Sequence, residues 1–211
     1  SKINKVKNFM KKNNINYLYT SASENVNWLL NIRGKDLPNS PLANCKIIIT
    51  YKGELFLSIN LKKISSSIKK KIKHVILCKE NSLLKIISKF VDGNFCIDKN
   101  TCSLYEQNLI ASKFKITHME DPIYEFKSLK NRTEIKNTIK AHIEDGIAVT
   151  KFLYWFKKNK KKVTEKIIEK KLENFRKKSK NYLFPSFDTI AGSGKNGAIV
   201  HYRATKNNTK L

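Results

Sequence analysis

The 211 residues contain no apolar run of membrane-spanning length; "KIIIT" and "HVILC" are strand-sized. No secretory pattern opens the chain, because "SKINKVKNFMKK" is polar and lysine-rich and lacks an apolar h-region. No initiator Met opens it either, so a segment cut from a longer protein is expected. Cysteine is sparse: Cys45, Cys78, Cys96 and Cys102 form no C-x-x-C, which points to free thiols in a reducing cytoplasm and away from a disulfide framework or a zinc site. Carboxylates are also few, 17 against 43 Lys and Arg, leaving a formal net charge of +26. Such a balance invites a nucleic-acid reading, since basic stripes neutralise phosphate. Yet the lysines are dispersed, and Arg, the residue suited to bidentate phosphate and base contacts, is scarce beside them. The densest run, "KKNKKKVTEKIIEKKLENFRKKSK", alternates Lys with Ile, Leu and Phe at helical spacing and reads as a solvated helix face. Weak polyanion binding is expected, with no specific nucleic-acid partner and no membrane partner.

The first part of the chain alternates helical and strand patterns. "KINKVKNFMKKN" carries Ile3, Val6, Phe9 and Met10 on one helical face, and "INYLYT" follows as a strand. "SASENVNWLLNI" opens with Ser21 and Glu24 at capping-box spacing and runs to Gly34, a helix-end signal. "CKIIITYKGELFLSI" predicts a hairpin turning at Lys52-Gly53. Then come "LKKISSSIKKKI" (helix), "HVILC" (strand), "SLLKIISKFV" (helix), "NFCID" (strand), "SLYEQNLIA" (helix) and "KITHM" (strand), an α/β layer pattern. "DPIYEFKSLK" reads as a connector, so a domain boundary is expected near residue 124, giving domains 1–124 and 125–211. Beyond it the spacing predicts a long helix from Arg132 to about Lys158, with Ile135, Ile139, Ile143 and Ile147 as its stripe. After a lysine-rich turn near Lys160, a second helix runs from a Thr164 N-cap to about Lys178.

In "FPSFDTIAGSGKNGAIVHYRAT", Gly192, Gly194 and Gly197 spell G-x-G-x-x-G. A dinucleotide fingerprint needs a strand before these glycines and a helix after them, because the helix N-terminus holds the pyrophosphate. Here "AIVHY" is short, β-branched and aromatic, so the stretch predicts strand, glycine turn and strand, a hairpin. Asn196 stands where a phosphate loop would place Ser or Thr. Other candidates are weaker. His142, Glu144 and Asp145 resemble a metal cluster but share one helix and read as surface and packing residues. Trp28 and Arg33 suit core packing and an ion pair better than a substrate cleft, and His74 and His118 only flank strands. Spacing alone makes His201 an ordinary strand histidine.

Two long helices followed by "SFDTIAGSGKNGAIVHYRA" resemble the opening of the catalytic domain of the Xaa-Pro aminopeptidase (aminopeptidase P) family, pita-bread metallopeptidases. Upstream, "ENVNWLLNIRGKDLPNSPLANCKIIIT" resembles the creatinase-like domain that precedes it. The resemblance implies a creatinase-like α/β domain over 1–124, then the incomplete opening, two helices and a hairpin, of a pita-bread α+β domain over 125–211. It implies removal of the first residue from peptides with proline second, two manganese ions bridging a water, a homodimer, and a cytoplasmic enzyme. It assigns His201, in "VHY", to substrate binding and proton handling. All five of the family's metal ligands are expected beyond Leu211, so the 211 residues alone should be inactive and hold no metal. Two competing classes remain: a non-catalytic peptide-binding module with a pita-bread-like fold, and a charge-driven nucleic-acid binder.

Overall fold

The computed structural model describes residues 1–159 and 163–205. Six short apolar runs form one sheet: β1 (Tyr17–Thr20), β2 (Cys45–Thr50), β3 (Leu55–Ile59), β4 (Ile76–Cys78), β5 (Asn94–Ile97) and β6 (Lys115–His118), in the order β4-β3-β2-β1-β5-β6. β2 runs antiparallel to β1 and β3, while the remaining neighbours pair in parallel. The β2–β3 hairpin turns where expected: Gly53 takes φ +96, and its amide donates to the Thr50 carbonyl at 2.8 Å.

Both faces of this sheet are covered, which is why its central strands read as unbroken apolar runs. The period-2 alternation sends Leu18, Ile47, Ile49, Leu57 and Cys96 to one face. There they meet Val6 and Met10 of α1 (Lys2–Lys12), Val26 and Leu29 of α2 (Ser23–Leu30), and Ile123. Tyr17, Tyr19, Ile48, Phe95 and Ile97 point the other way, against Ile86 and Ile87 of α4 (Leu83–Ile87) and Ile110 of α5 (Leu104–Ala111). Each such side chain contributes about 1.5–3 kcal/mol on full burial, so the two clusters outweigh any single cap or ion pair. The short helix α3 (Ser66–Lys71) precedes β4, with the Ser65 hydroxyl accepting from the Ile68 amide at 3.3 Å.

Three local readings are corrected. Ser21 and Glu24 do not cap α2; its N-cap is Ala22, while the Ser21 hydroxyl donates to Thr101 Oγ1 and Glu24 accepts from the Tyr124 hydroxyl. α2 ends at Asn31, in the left-handed region at φ 53, and Gly34 serves a different need. A Cβ on Gly34 would stand 2.6 Å from Ala43, so the loop passes that residue only without a side chain. "DPIYEFKSLK" is no free connector. Asp121 caps α6 (Pro122–Ser128) by accepting from the Ile123 amide at 2.9 Å, Pro122 fits the first turn, and α6 packs on α1 and α2. The boundary expected near residue 124 falls within α6, and the chain divides into Ser1–Leu129 and Lys130–Leu211.

The second unit begins with α7 (Arg132–Asn159), against which α8 (Glu165–Arg176) packs. Thr164 caps α8 as its sequence suggests, accepting from the Ile167 amide at 3.4 Å. The lysine-rich turn near Lys160 lies outside the described residues. Ile135, Ile139, Ile143 and Ile147 do form a stripe, and it is exposed. The expected hairpin is absent: among the described residues beyond α8 there is no strand. The segment folds instead into a 3-10 turn, Gly194–Ala198, with Gly194 at φ +55. The amides of Asn196, Ile199 and Tyr202 donate to the carbonyls of Ser193, Asn196 and Ile199, so these groups are used locally and leave no ladder to build.

Gly34→Ala is expected to destabilise the first unit by about 1–3 kcal/mol through overpacking, read as a lower urea midpoint at constant slope. An unchanged midpoint would contradict the close approach to Ala43. All four cysteines are free, and burial pushes the Cys45 thiol up to about 12 and the Cys96 and Cys102 thiols up to about 11. Because the thiolate is the nucleophile, these three should alkylate far more slowly at pH 8 in the native chain than in denaturant. Rapid native labelling of Cys45 or Cys96 would contradict their burial.

Candidate functional site

The second unit is organised by one acidic side chain. Glu165 opens α8 directly after its cap, where a negative charge suits the helix N-terminus. It is fully buried, beside buried Val163 and Thr164. A carboxylate closed off from water needs hydrogen bonds in place of its hydration. Glu165 meets that demand from the glycine segment. Its Oε1 accepts from the Ser193 amide at 2.6 Å and from Asn196 Nδ2 at 3.1 Å, and its Oε2 accepts from the Tyr202 hydroxyl at 2.6 Å. Asn196 Nδ2 also reaches Oε2 at 3.1 Å and the Tyr202 oxygen at 3.0 Å. The Tyr202 hydroxyl first, then the Ser193 and Asn196 amides, hold this carboxyl below its ordinary value against the pull of burial.

His201 sits next to Tyr202, exposed, at φ 53 in a turn rather than in a strand. Asp188 is paired with Arg203. The three glycines make no nucleotide cradle, because irregular backbone precedes them and only a short 3-10 turn follows. Gly192 is nonetheless required as glycine: a Cβ there would stand 2.8 Å from the Asn196 carbonyl oxygen.

Two of the metal-like trio on α7 hold the chain that follows α8 and α8 itself. Glu144 accepts from the Ser179 hydroxyl at 2.6 Å and from Asn181 Nδ2, Asp145 accepts from Arg176 Nε at 2.6 Å and Nη2 at 3.2 Å, and His142 is exposed. Trp28 is half-buried against the first unit's core with the Lys2 ammonium 4.0 Å from its ring centroid. Arg33 forms no ion pair among the described residues. It donates to the Ile32 carbonyl at 2.8 Å and edges an apolar cavity of about 420 Å³ between Leu57, Ile64 and Ile68. His74 and His118 are exposed. A polar network escaped the sequence reading: Glu106 accepts from Tyr19, Ser103 and Lys46, and these partners hold its carboxyl low although burial opposes them. Ser103 stands at capping spacing before Glu106, but no spacing rule marks Tyr19 and Lys46, which lie far from it along the chain.

Among the described residues no group of three or more His, Cys, Asp or Glu could hold a metal ion. Two ions sharing a water need several bridging carboxylates, and the one carboxylate of the glycine segment is bound by Arg203. The described donor set does not fit a two-ion centre. No described helix is long and apolar enough to cross a membrane.

Residues 1–134 match the family model of the creatinase/prolidase N-terminal domain, and residues 136–211 match that of metallopeptidase family M24. A probable Xaa-Pro aminopeptidase P of Paracoccidioides brasiliensis is 31% identical, over 97% of this chain and 36% of that protein. Xaa-Pro aminopeptidase 1 of Dictyostelium discoideum is 28% identical, over 96% of this chain and 33% of that protein. The chain thus spans about a third of the length of these curated relatives. Among solved structures, an X-prolyl aminopeptidase of Caenorhabditis elegans, described as a cytosolic enzyme with a di-nuclear active site, shares the fold at TM-score 0.87 and 22% identity, over 98% of this chain and 36% of that one. An Xaa-Pro dipeptidase of Bacillus anthracis has TM-score 0.62 at 14% identity, over 84% and 48%. With residues 1–134 matched by its model, the chain belongs to the creatinase/prolidase N-terminal domain family, and the residues that follow, 136–211, match the model of metallopeptidase family M24.

Proposed function

We propose that this chain is part of a metal-dependent aminopeptidase that releases the N-terminal residue from peptides with proline in second position. The observation that carries the reading is the joint match of both units, in order, to the two family models, with relatives named Xaa-Pro aminopeptidases aligned along nearly the whole chain. The chemistry of the substrate explains why a dedicated site is needed. The amide before proline is tertiary, has no N–H to donate and fixes φ, so ordinary peptidase sites handle it poorly, and its nitrogen, like that of any amide, must be protonated as it leaves. An exposed imidazole suits that region of a substrate. His201 binds the peptide near the scissile carbonyl and handles a proton there. The reaction would need two metal ions, which we take to be manganese, to supply an activated water, and no group of the described residues would hold them. We place the active protein in the cytoplasm as a homodimer; the exposed isoleucine stripe of α7 supports association. The dispersed lysines bind nucleic acid only weakly and without sequence preference.

The absence of a fitting donor set among the described residues keeps one second reading, a non-catalytic peptide-binding module. Full-length protein charged with manganese decides between them: turnover of an Xaa-Pro peptide supports the peptidase, and peptide binding without cleavage supports the module. In the full-length protein His201→Ala is expected to lower kcat about 10²-fold, the lower end for a general acid or base, with metal content intact. Loss of metal from that variant would show a misassigned role. The 211-residue chain by itself is expected to retain no stoichiometric manganese after dialysis and to show no turnover. Bound metal or cleavage would mean that the ligands lie within it.

A further inference from the structure

Among the described residues no sheet or helix holds the backbone around His201, yet two neighbouring residues there live in opposite environments. His201 is exposed, whereas the Tyr202 hydroxyl is bound at 2.6 Å to a carboxylate with no exposed surface. The same carboxylate holds the Ser193 amide at 2.6 Å, so both ends of the stretch from Ser193 to Tyr202 close on one anchor. Asn196 fills the middle, donating to both Glu165 oxygens and to the Tyr202 oxygen. The anchor is rigid, because Glu165 is the first residue of α8 and Thr164 caps that helix. His201 itself carries φ 53, an uncommon conformation for a residue with a Cβ, although His adopts it more readily than most, and its surroundings hold it there. Those surroundings are the closed loop.

We propose that Glu165 is a positioning residue that aims the His201 imidazole, acting through Asn196 and Tyr202; its effect on cleavage rests on the reaction proposed above. Glu165 touches no substrate in this scheme. It fixes where the chain leaves the 3-10 turn and therefore the direction in which the next side chain projects. Removing the Tyr202 hydroxyl alone releases one end of the loop, while Glu165→Gln replaces an acceptor that three donors share with one that also carries N–H groups. Misplacing a reacting group by about 1 Å is enough to cost on the order of 10²-fold in rate.

The test has two arms. In the 211-residue chain, the histidine ring resonances are followed by NMR in the parent, Glu165→Gln and Tyr202→Phe. The His201 signal is expected to shift or broaden in both variants, while those of His74, His118 and His142 stay in place. In the full-length protein, both variants are expected to lower kcat for an Xaa-Pro peptide by about tenfold or more, with KM and metal content little changed. In a His201→Ala background the same variants should cost less than about twofold, the non-additivity of residues acting through one another. If Glu165→Gln fails to fold, Tyr202→Phe carries both arms, since it keeps the ring and removes one hydrogen bond. An unmoved His201 signal, or rate losses that multiply with that of His201→Ala, would overturn the proposal. A moved signal together with full turnover of His201→Ala would support the anchoring and overturn the catalytic reading of His201.

Discussion

A buried carboxylate is tolerated only when hydrogen bonds replace its water, and in the second unit Glu165 turns that constraint into architecture. Its partners, Ser193, Asn196 and Tyr202, all lie in the irregular glycine segment. An exposed ion pair such as Arg203 with Asp188 cannot play this role, because screening leaves such pairs at about 0–1 kcal/mol. Satisfying Glu165 and ordering the segment are the same event: losing one partner leaves a buried charge short of a donor, which penalises any looser arrangement.

The first unit uses the same device at its loops, on a body held by apolar burial. Asn27 of α2, itself buried, donates to the Ser23 and Ala43 carbonyls and accepts from the Ala43 amide at 3.0 Å. That stitch brings the long link between α2 and β2 back against the helix, where Gly34 admits Ala43. On the same helix, Asn25 Nδ2 donates to Asp121 at 3.0 Å, and the Asp121 amide donates to Asp98 at 3.1 Å. Burial pushes the Asp121 carboxyl up, the sign of a charge kept for its hydrogen bonds at some cost. Polar side chains at element ends, rather than ion pairs on the surface, decide how the loops lie.

The stretches legible from sequence are those in which one local pattern had one outcome. The apolar run "CKIIIT" and the alternating "ELFLSI" with glycine between them mean a hairpin, and Thr164 before an amphipathic run means a capped helix. Misreadings arose where a local cue had a stronger tertiary competitor. Ser21 and Glu24 have capping spacing, yet Thr101 and Tyr124 claim their side chains. "SFDTIAG" alternates and "AIVHY" is β-branched and aromatic, as strands are, but a two-stranded hairpin is marginal by itself, and Glu165 draws the segment into turns.

By itself the sequence determined the apolar periods, and through them the order of helices and strands, the α/β class of the first unit and the helix pair of the second. It also carried the motif that singled out His201. Periodicity is a property of neighbours along the chain, so it survives without coordinates. Only the tertiary structure decided which polar groups meet: Glu165 with Tyr202, Asn27 with Ala43, Glu106 with Tyr19. These partners lie far apart in sequence, and a hydrogen bond acts over about 3 Å, so nothing short of the folded path of the chain brings them together.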